Sequence, residues 1–318
     1  MSREPRLALT VCGLSFRNPI VLAAGTAGYG RELDGMVDLS RLGGLATKAI
    51  SLEPRQGAPE PRVTDFAGGM LNAVGLANPG LRAVVDAYLP WLATHHPGTR
   101  KIANIVGFTI EEFADVITGV ETAVAPGALA AGAIEAYELN VSCPNVRAGG
   151  MEFGSDPDCL HEVVARARAA TRRPLFVKLS PALPNLVHAA QVAAIAGADG
   201  ITLVNTLPGL LIDVERRRPV LGFGTGGISG PALLPVGVLA TWKVSCAVSL
   251  PIIGVGGVRV AADALQYLLA GASLVGMGTA ALRDPRQPER LARELETWCE
   301  RHDVATIASL VGTMKWPM

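Results

Sequence analysis

Along the chain, eight short and mostly apolar runs alternate, at roughly even spacing, with eight stretches whose apolar residues follow helical spacing. The runs fall at 18–24, 44–50, 101–106, 136–142, 174–179, 200–205, 252–257 and 274–279. Runs that are apolar on both alternating faces need cover on both sides, which parallel strands joined by helices provide. Helical spacing covers 81–95, 110–123, 156–171, 185–196, 231–248, 261–270 and 287–301, with a short helix start after Thr279. An open doubly wound sheet uses the same alternation, but eight strand–helix units in succession favour closure. The expectation is one α/β domain over residues 1–318, a (β/α)8 TIM barrel. A short hairpin at 6–16 precedes it, and long loops follow strands two, four and six. The last two strands, I-I-G-V-G-G and L-V-G-M-G-T, form an internal repeat around one helix.

Composition narrows the function. The 28 Lys and Arg balance 28 Asp and Glu, and no basic run extends beyond Arg216–Arg217–Arg218. Nucleic acid and anionic membrane are therefore poor candidates for the main partner. The N-terminus has no apolar signal core, and no run approaches the ~18 apolar residues of a membrane span. A cytoplasmic protein is expected. The five cysteines are scattered and include no C-x-x-C pair, so neither a disulfide framework nor a zinc or iron–sulfur site is expected in this chain. The adjacent His95 and His96 precede Pro97–Gly98 and read as a solvated helix end rather than a metal site.

In a barrel of this kind the active site lies where the strands end. Those ends carry Gly25, Lys48, Asn104, Asn140 with Cys143, Lys178, Asn205, Gly256–Gly257 and Gly278–Thr279. Only Glu138, within the fourth strand, offers a counter-charge to the two lysines, so an anionic ligand is implied. The fourth strand breaks at Pro144 and gathers Asn140, Cys143 and Asn145 where strand becomes loop. Carboxamides both donate and accept, which suits a flat, amide-rich ring. A thiol there is a nucleophile, a proton acceptor or an inert small hydrophobe. The segment 51–79 is long, rich in Pro and Gly, and reads as a binding loop without regular structure. It contains Asn72 among glycines that let backbone approach a ligand.

The glycine pairs after strands seven and eight suit a phosphate, though tight turns use glycine too. The G-x-G-x-x-G at 222–227 and the G-x-G-x-x-A at 276–281 do not open a βαβ unit with an acidic residue about twenty positions on, which argues against a dinucleotide fingerprint. The sequon at Asn140 lies in a buried strand. Phosphate, lysines and carboxamides together suit a phosphate-tailed heteroaromatic such as flavin mononucleotide, with Lys178 near the ring's electron-rich edge. Sugar phosphates satisfy the same constraints.

These residues lie in motifs that resemble the dihydroorotate dehydrogenases, specifically the bacterial NAD-linked kind. The motifs are E-L-N-V-S-C-P-N-V-R-A-G-G-M-E-F-G, L-E-P-R-Q-G-A-P-E-P-R, G-G-M-L-N-A-V-G-L-A-N-P-G, L-V-N-T-L, G-G-I-S-G-P-A and G-V-G-G-V. The resemblance implies oxidation of (S)-dihydroorotate to orotate on the route to UMP. It implies one FMN per chain, held by Ala24, Lys48, Ala49, Asn104, Asn140, Lys178, Val204, Gly230, Gly256, Gly257, Gly278 and Thr279. It implies dihydroorotate bound by Lys48, Asn72, Ala73, Val74, Gly75, Leu76, Asn140, Asn145, Asn205 and Thr206. Cys143 would be the base at C5 while hydride leaves C6, with Lys48 the second catalytic residue. FAD and a [2Fe–2S] centre would belong to a partner subunit passing electrons to NAD+, in a heterotetramer built on a homodimer. Ala24 departs from the serine common in the family. Other family members use fumarate, or quinone with a serine base and a membrane-binding extension; Cys143 and the missing extension disfavour the quinone kind. A related flavin barrel acting on another pyrimidine, or a colourless barrel that only binds its ligand, are the alternatives.

Overall fold

The computed structural model describes residues 6–141 and 153–317. Strands β1 (Leu9–Val11) and β2 (Leu14–Phe16) pair antiparallel, and β3 (Ile20–Leu22) and β4 (Gly44–Ala46) follow. Next come β5 (Val63–Phe66), β6 (Gly69–Asn72), β7 (Arg100–Ile105), β8 (Ala136–Asn140), β9 (Leu175–Leu179) and β10 (Gly200–Leu203). The series ends with β11 (Leu207–Gly209), β12 (Ile212–Asp213), β13 (Arg218–Pro219), β14 (Gly226–Ser229), β15 (Ile252–Val255) and β16 (Leu274–Met277). Among the described residues, eight of these close a parallel barrel in the order β3-β4-β7-β8-β9-β10-β15-β16. This is the TIM-barrel topology.

The period of two along each strand divides the apolar residues into two cores. On β3, Ile20 and Leu22 face the surrounding helices while Val21 joins the inner cluster of Ala46, Ile102, Ala136, Phe176, Ile253 and Leu274. Val11 and Phe16 of the hairpin pack into that inner cluster and plug the amino-terminal end of the barrel. Two residues further along the same faces the lumen turns polar: Ile102 gives way to Asn104, Ala136 to Glu138, and Phe176 to Lys178. The apolar floor and the polar mouth are therefore successive layers of the same strands.

Around the barrel run α1 (Gly80–Ala83), α2 (Leu89–Thr94), α3 (Ile110–Ala123), α4 (Pro157–Ala170), α5 (Leu186–Ile195), α6 (Leu234–Ser245), α7 (Ala261–Leu269), α8 (Thr279–Arg283) and α9 (Gln287–Arg301). Side-chain oxygens of Thr109, Asp156 and Asn185 accept from the backbone N–H groups of Glu112, Cys159 and His188, capping α3, α4 and α5. No helix among the described residues is long and apolar enough to cross a membrane.

Two expectations need correction. The eight units do not carry eight full helices: between β3 and β4 the chain forms only the single 3-10 turns Arg31–Leu33 and Leu39–Arg41. Gly25, Gly28, Gly30 and Gly35 all adopt positive φ there, which an α-helix does not tolerate. Nor are the long connections irregular. The segment after β4 supplies β5 and β6, the one after β10 supplies β11 and β14, and the four form an antiparallel sheet in the order β11-β14-β6-β5. Beneath it Ala58, Leu71, Ala73 and Leu221 make a small apolar core separate from the barrel's. Each strand is too short to show in its own sequence, and the pairing joins segments as distant as Asn72 and Gly227. Residues 142–152, where a third long loop is expected, lie outside the described residues.

At the other end of the barrel, buried Asn18 sets the entry to β3. Its Oδ1 accepts from the Ile20 and Gly43 N–H groups at 3.1 and 2.9 Å, and its Nδ2 donates to the Arg41 carbonyl at 2.8 Å. Asn18→Ala strands two buried donors, so urea unfolding should show a loss of about 2–6 kcal/mol, each unsatisfied group costing ~1–3.

Candidate active site

The carboxyl ends of the barrel strands and the antiparallel sheet enclose a cavity of about 960 Å³. Its base is a buried polar cluster. Asn104 Nδ2 donates to Glu138 Oε1 at 2.7 Å, and Lys178 Nζ stands 3.6 Å from the same oxygen. Adjacent strands and a shared inward face bring the three together, since β7 pairs Asn104 with Glu138 and β9 pairs Phe176 with Glu138. Glu138 thus compensates the charge of Lys178. Lys48 is different: it is half-buried at the end of the second barrel strand, and among the described residues no carboxylate pairs with it. The argument for an anionic ligand rests on Lys48 rather than on both lysines. Asn104 Oδ1 is buried with no hydrogen-bond partner among the described residues. A carbonyl oxygen left so in a polar cavity is an acceptor available to a bound molecule.

Towards the fourth and sixth barrel strands the carboxamides meet. Asn205 Nδ2 donates to Asn140 Oδ1 at 3.2 Å, while Asn205 Oδ1 accepts from the Thr206 N–H at 2.8 Å. Asn72, at the end of β6, donates to the Gly227 carbonyl at 3.2 Å, so its amide faces the cavity from the antiparallel sheet.

On the opposite side, Gly256 and Gly257 turn the chain at φ 131° and 74°. The buried Tyr267 hydroxyl donates to the Gly256 carbonyl at 2.8 Å and holds that turn. Burial, and secondarily the nearby Asp263 carboxylate, raise the Tyr267 pKa, so it remains a neutral donor. Thr279 opens α8, where the first backbone N–H groups lack intrahelical acceptors, and its hydroxyl donates to Ser229 Oγ at 2.8 Å. Gly230 is needed for space: a Cβ there would lie 2.9 Å from the Gly69 Cα.

Most residues singled out in the sequence line this one cavity. Ala24, Lys48, Ala49, Asn104, Asn140 and Lys178 line its base and one side, and Val204, Gly230, Gly256, Gly257, Gly278 and Thr279 the other. Asn72, Val74, Gly75, Leu76, Asn205 and Thr206 line the mouth. Ala73 does not: it is fully buried in the small core under the antiparallel sheet, as the alternation of that segment requires. Cys143 and Asn145 lie outside the described residues. Sequence reasoning missed Thr26, Met70, Ser229, Arg259, Arg283 and Gln287, which also line the cavity. Ser229 and Met70 were discoverable inside G-G-I-S-G-P-A and G-G-M-L-N-A-V-G-L-A-N-P-G; the others reach the cavity from turns and helix ends outside the quoted motifs.

The chain matches the sequence profile of the family described as dihydroorotate dehydrogenase over residues 6–298. It belongs to the dihydroorotate dehydrogenase family. Among its relatives is the protein of Pelobacter propionicus named dihydroorotate dehydrogenase B (NAD(+)), catalytic subunit, 45% identical over 98% of this chain and 99% of that protein. Proteins of the same name from Trichlorobacter lovleyi and Geobacter sp. (strain M21) are 43% and 42% identical over the same shares. In this family member, the buried carboxylate is the feature most exposed to a simple test. Glu138→Gln preserves the shape but removes the negative charge facing Lys178. It should lower stability in urea by about 3 kcal/mol, the lower end of the usual cost of breaking a buried pair, and the added Lys178→Met change should recover part of that loss.

Proposed function

We propose that this chain oxidises (S)-dihydroorotate to orotate in the synthesis of pyrimidine nucleotides, as the catalytic subunit of an NAD+-linked enzyme. The observation that carries the reading is the pairing of opposite demands in one cavity. Lys48 offers a cation that no carboxylate among the described residues pairs with, and Asn72, Asn140, Asn205 and Thr206 offer amides and a hydroxyl. Dihydroorotate carries both complements, a carboxylate and a cyclic ureide. The family and the names borne by relatives nearly half identical in sequence support the same assignment.

The cavity also fits FMN. The Asn104 oxygen, without a partner among the described residues, offers an acceptor, and the turn at Gly256–Gly257 beside Gly278 and Thr279 leaves room where side chains would intrude. Lys48, Ala49, Asn104, Asn140, Lys178 and Val204 would hold the ring system, with backbone at Ala24. Gly230, Gly256, Gly257, Gly278 and Thr279 would hold the phosphate. FMN, when bound, accepts the hydride that leaves C6 of the substrate. The chain's own work is positional and acid–base. Lys48 orients the substrate carboxylate, the asparagines fix the ureide edge, and Cys143 Sγ takes the C5 proton. A free thiol has a pKa of ~8.5 and is mostly protonated at neutrality, so the base needs local support, which Ser142 would provide by hydrogen bonding.

A partner subunit carrying FAD and a [2Fe–2S] centre would supply the route for electrons to NAD+, in a cytoplasmic heterotetramer built on a homodimer of this chain. Adding dihydroorotate anaerobically to the purified yellow protein should bleach its flavin absorbance. Cys143→Ala should retain FMN but slow that bleaching at least ~100-fold, the scale of a lost general base. A colourless protein, a flavin that dihydroorotate does not reduce, or near-normal reduction in the variant would each contradict the corresponding part of the assignment.

A further inference from the structure

Past the glycine turns, the cavity is walled by side chains that the reading above leaves unused. Gln287, the first residue of α9, stands between two hollows. Its Nε2 donates to the Arg259 carbonyl at 2.7 Å on the cavity's edge, and its Oε1 accepts from Arg290 Nε at 2.9 Å. Arg290 faces the second hollow, a groove of about 570 Å³ shared with Arg293, Glu294, Trp298 and Arg301. Val260 lines both, so the two adjoin, and the Gln287 side chain ties Arg259 on the wall of the first to Arg290 on the wall of the second.

The Arg259 carbonyl is not free to swing aside. The N–H groups of Arg259 and Val260 donate to Asp263 Oδ2 at 3.0 and 3.2 Å, and the Arg259 guanidinium lies 3.5 Å from the same buried carboxylate. Across the rim Arg283, at the end of α8, bonds to the Asp65 carboxylate and reaches the Gly69 carbonyl at 3.3 Å. Both flanks of the glycine turns are therefore crossed by side-chain bridges.

We propose that Gln287, braced between Arg259 and Arg290, is a specificity residue that restricts the cavity to flavins ending in a single phosphate ester and excludes flavin dinucleotides. The inference rests on the assignment of FMN to this cavity with its phosphate at the glycine turns. A dinucleotide continues from that phosphate through a pyrophosphate into a second ribose and a base. The groove beyond would accommodate such an extension. The covalent chain leading to it, however, would have to pass where an amide and a carbonyl already stand at hydrogen-bond distance. Displacing Gln287 breaks a bond at each end of its carboxamide, one of them from the Arg290 guanidinium, and nothing equivalent replaces them.

Full-length protein, freed of flavin, is titrated with FMN and with FAD, and the flavin retained is identified by chromatography. Wild type should prefer FMN by at least ~100-fold in Kd. Gln287→Gly should lower that ratio by ~10-fold or more through tighter FAD binding, whereas Gln287→Met, which fills the same space, should hold it. Gln287→Ser opens the same gap and is read by the same criteria should the glycine variant not fold. Equal affinities in wild type, an unchanged ratio in the opened variants, or an equal gain of FAD in Gln287→Met would overturn the partition while leaving the FMN assignment standing. Failure of wild type to take up either flavin would overturn both.

Discussion

A single buried carboxylate fixes the character of the barrel's interior. Glu138 sits one layer above a fully apolar floor, and Asn104 and Lys178 both turn towards one of its oxygens. Ions removed from water are tolerated only when paired and hydrogen-bonded, so three strands must keep their register for the layer to exist. A slip of one residue would exchange inward and outward faces on that strand. It would place Leu139 or Val177 in the polar layer and a charge among the helices. The same layer that holds the strands together forms the base of the cavity, so the site's precision and the fold's register have one origin.

Above that layer, the molecule builds its mouth from chain that is foreign to the barrel. The two long connections, after the second and sixth barrel strands, pair into one antiparallel sheet that carries Asn72 and Ser229 to opposite parts of the cavity. The strand ends supply cations and amides on a rigid frame; the sheet supplies a wall.

How much of this was legible in the sequence follows from how local each signal is. The barrel was legible, because eight apolar runs with helical spacers announce themselves within a few residues each. The pairing of Lys178 with Glu138 was legible as well, since period two places Glu138 on the face of Asn140. The antiparallel sheet was not: β5 and β6 are four residues each, and their partners β11 and β14 lie in the other long connection. Gln287 was equally hidden, reading as the start of an outer helix until closure of the barrel brought it beside Arg259. The glycine-rich stretch after β3 misled in the other direction, because a regular alternation implied a helix that its own residues forbid. Cys143 was singled out by its neighbours in sequence, and the role proposed for it draws on chemistry and family rather than on position.

The small core formed by Ala58, Leu71, Ala73 and Leu221 has a consequence for how the molecule breathes. Four modest side chains bury little apolar area compared with the continuous layer between barrel and helices. The sheet above them is therefore a separate cooperative unit of low intrinsic stability. Its opening would expose those groups and the partly buried Leu211, Phe223 and Ile228 packed against them, and leave every barrel strand paired. Traffic through the mouth is thereby uncoupled from global unfolding, and the scaffold can remain stiff while its doorway fluctuates.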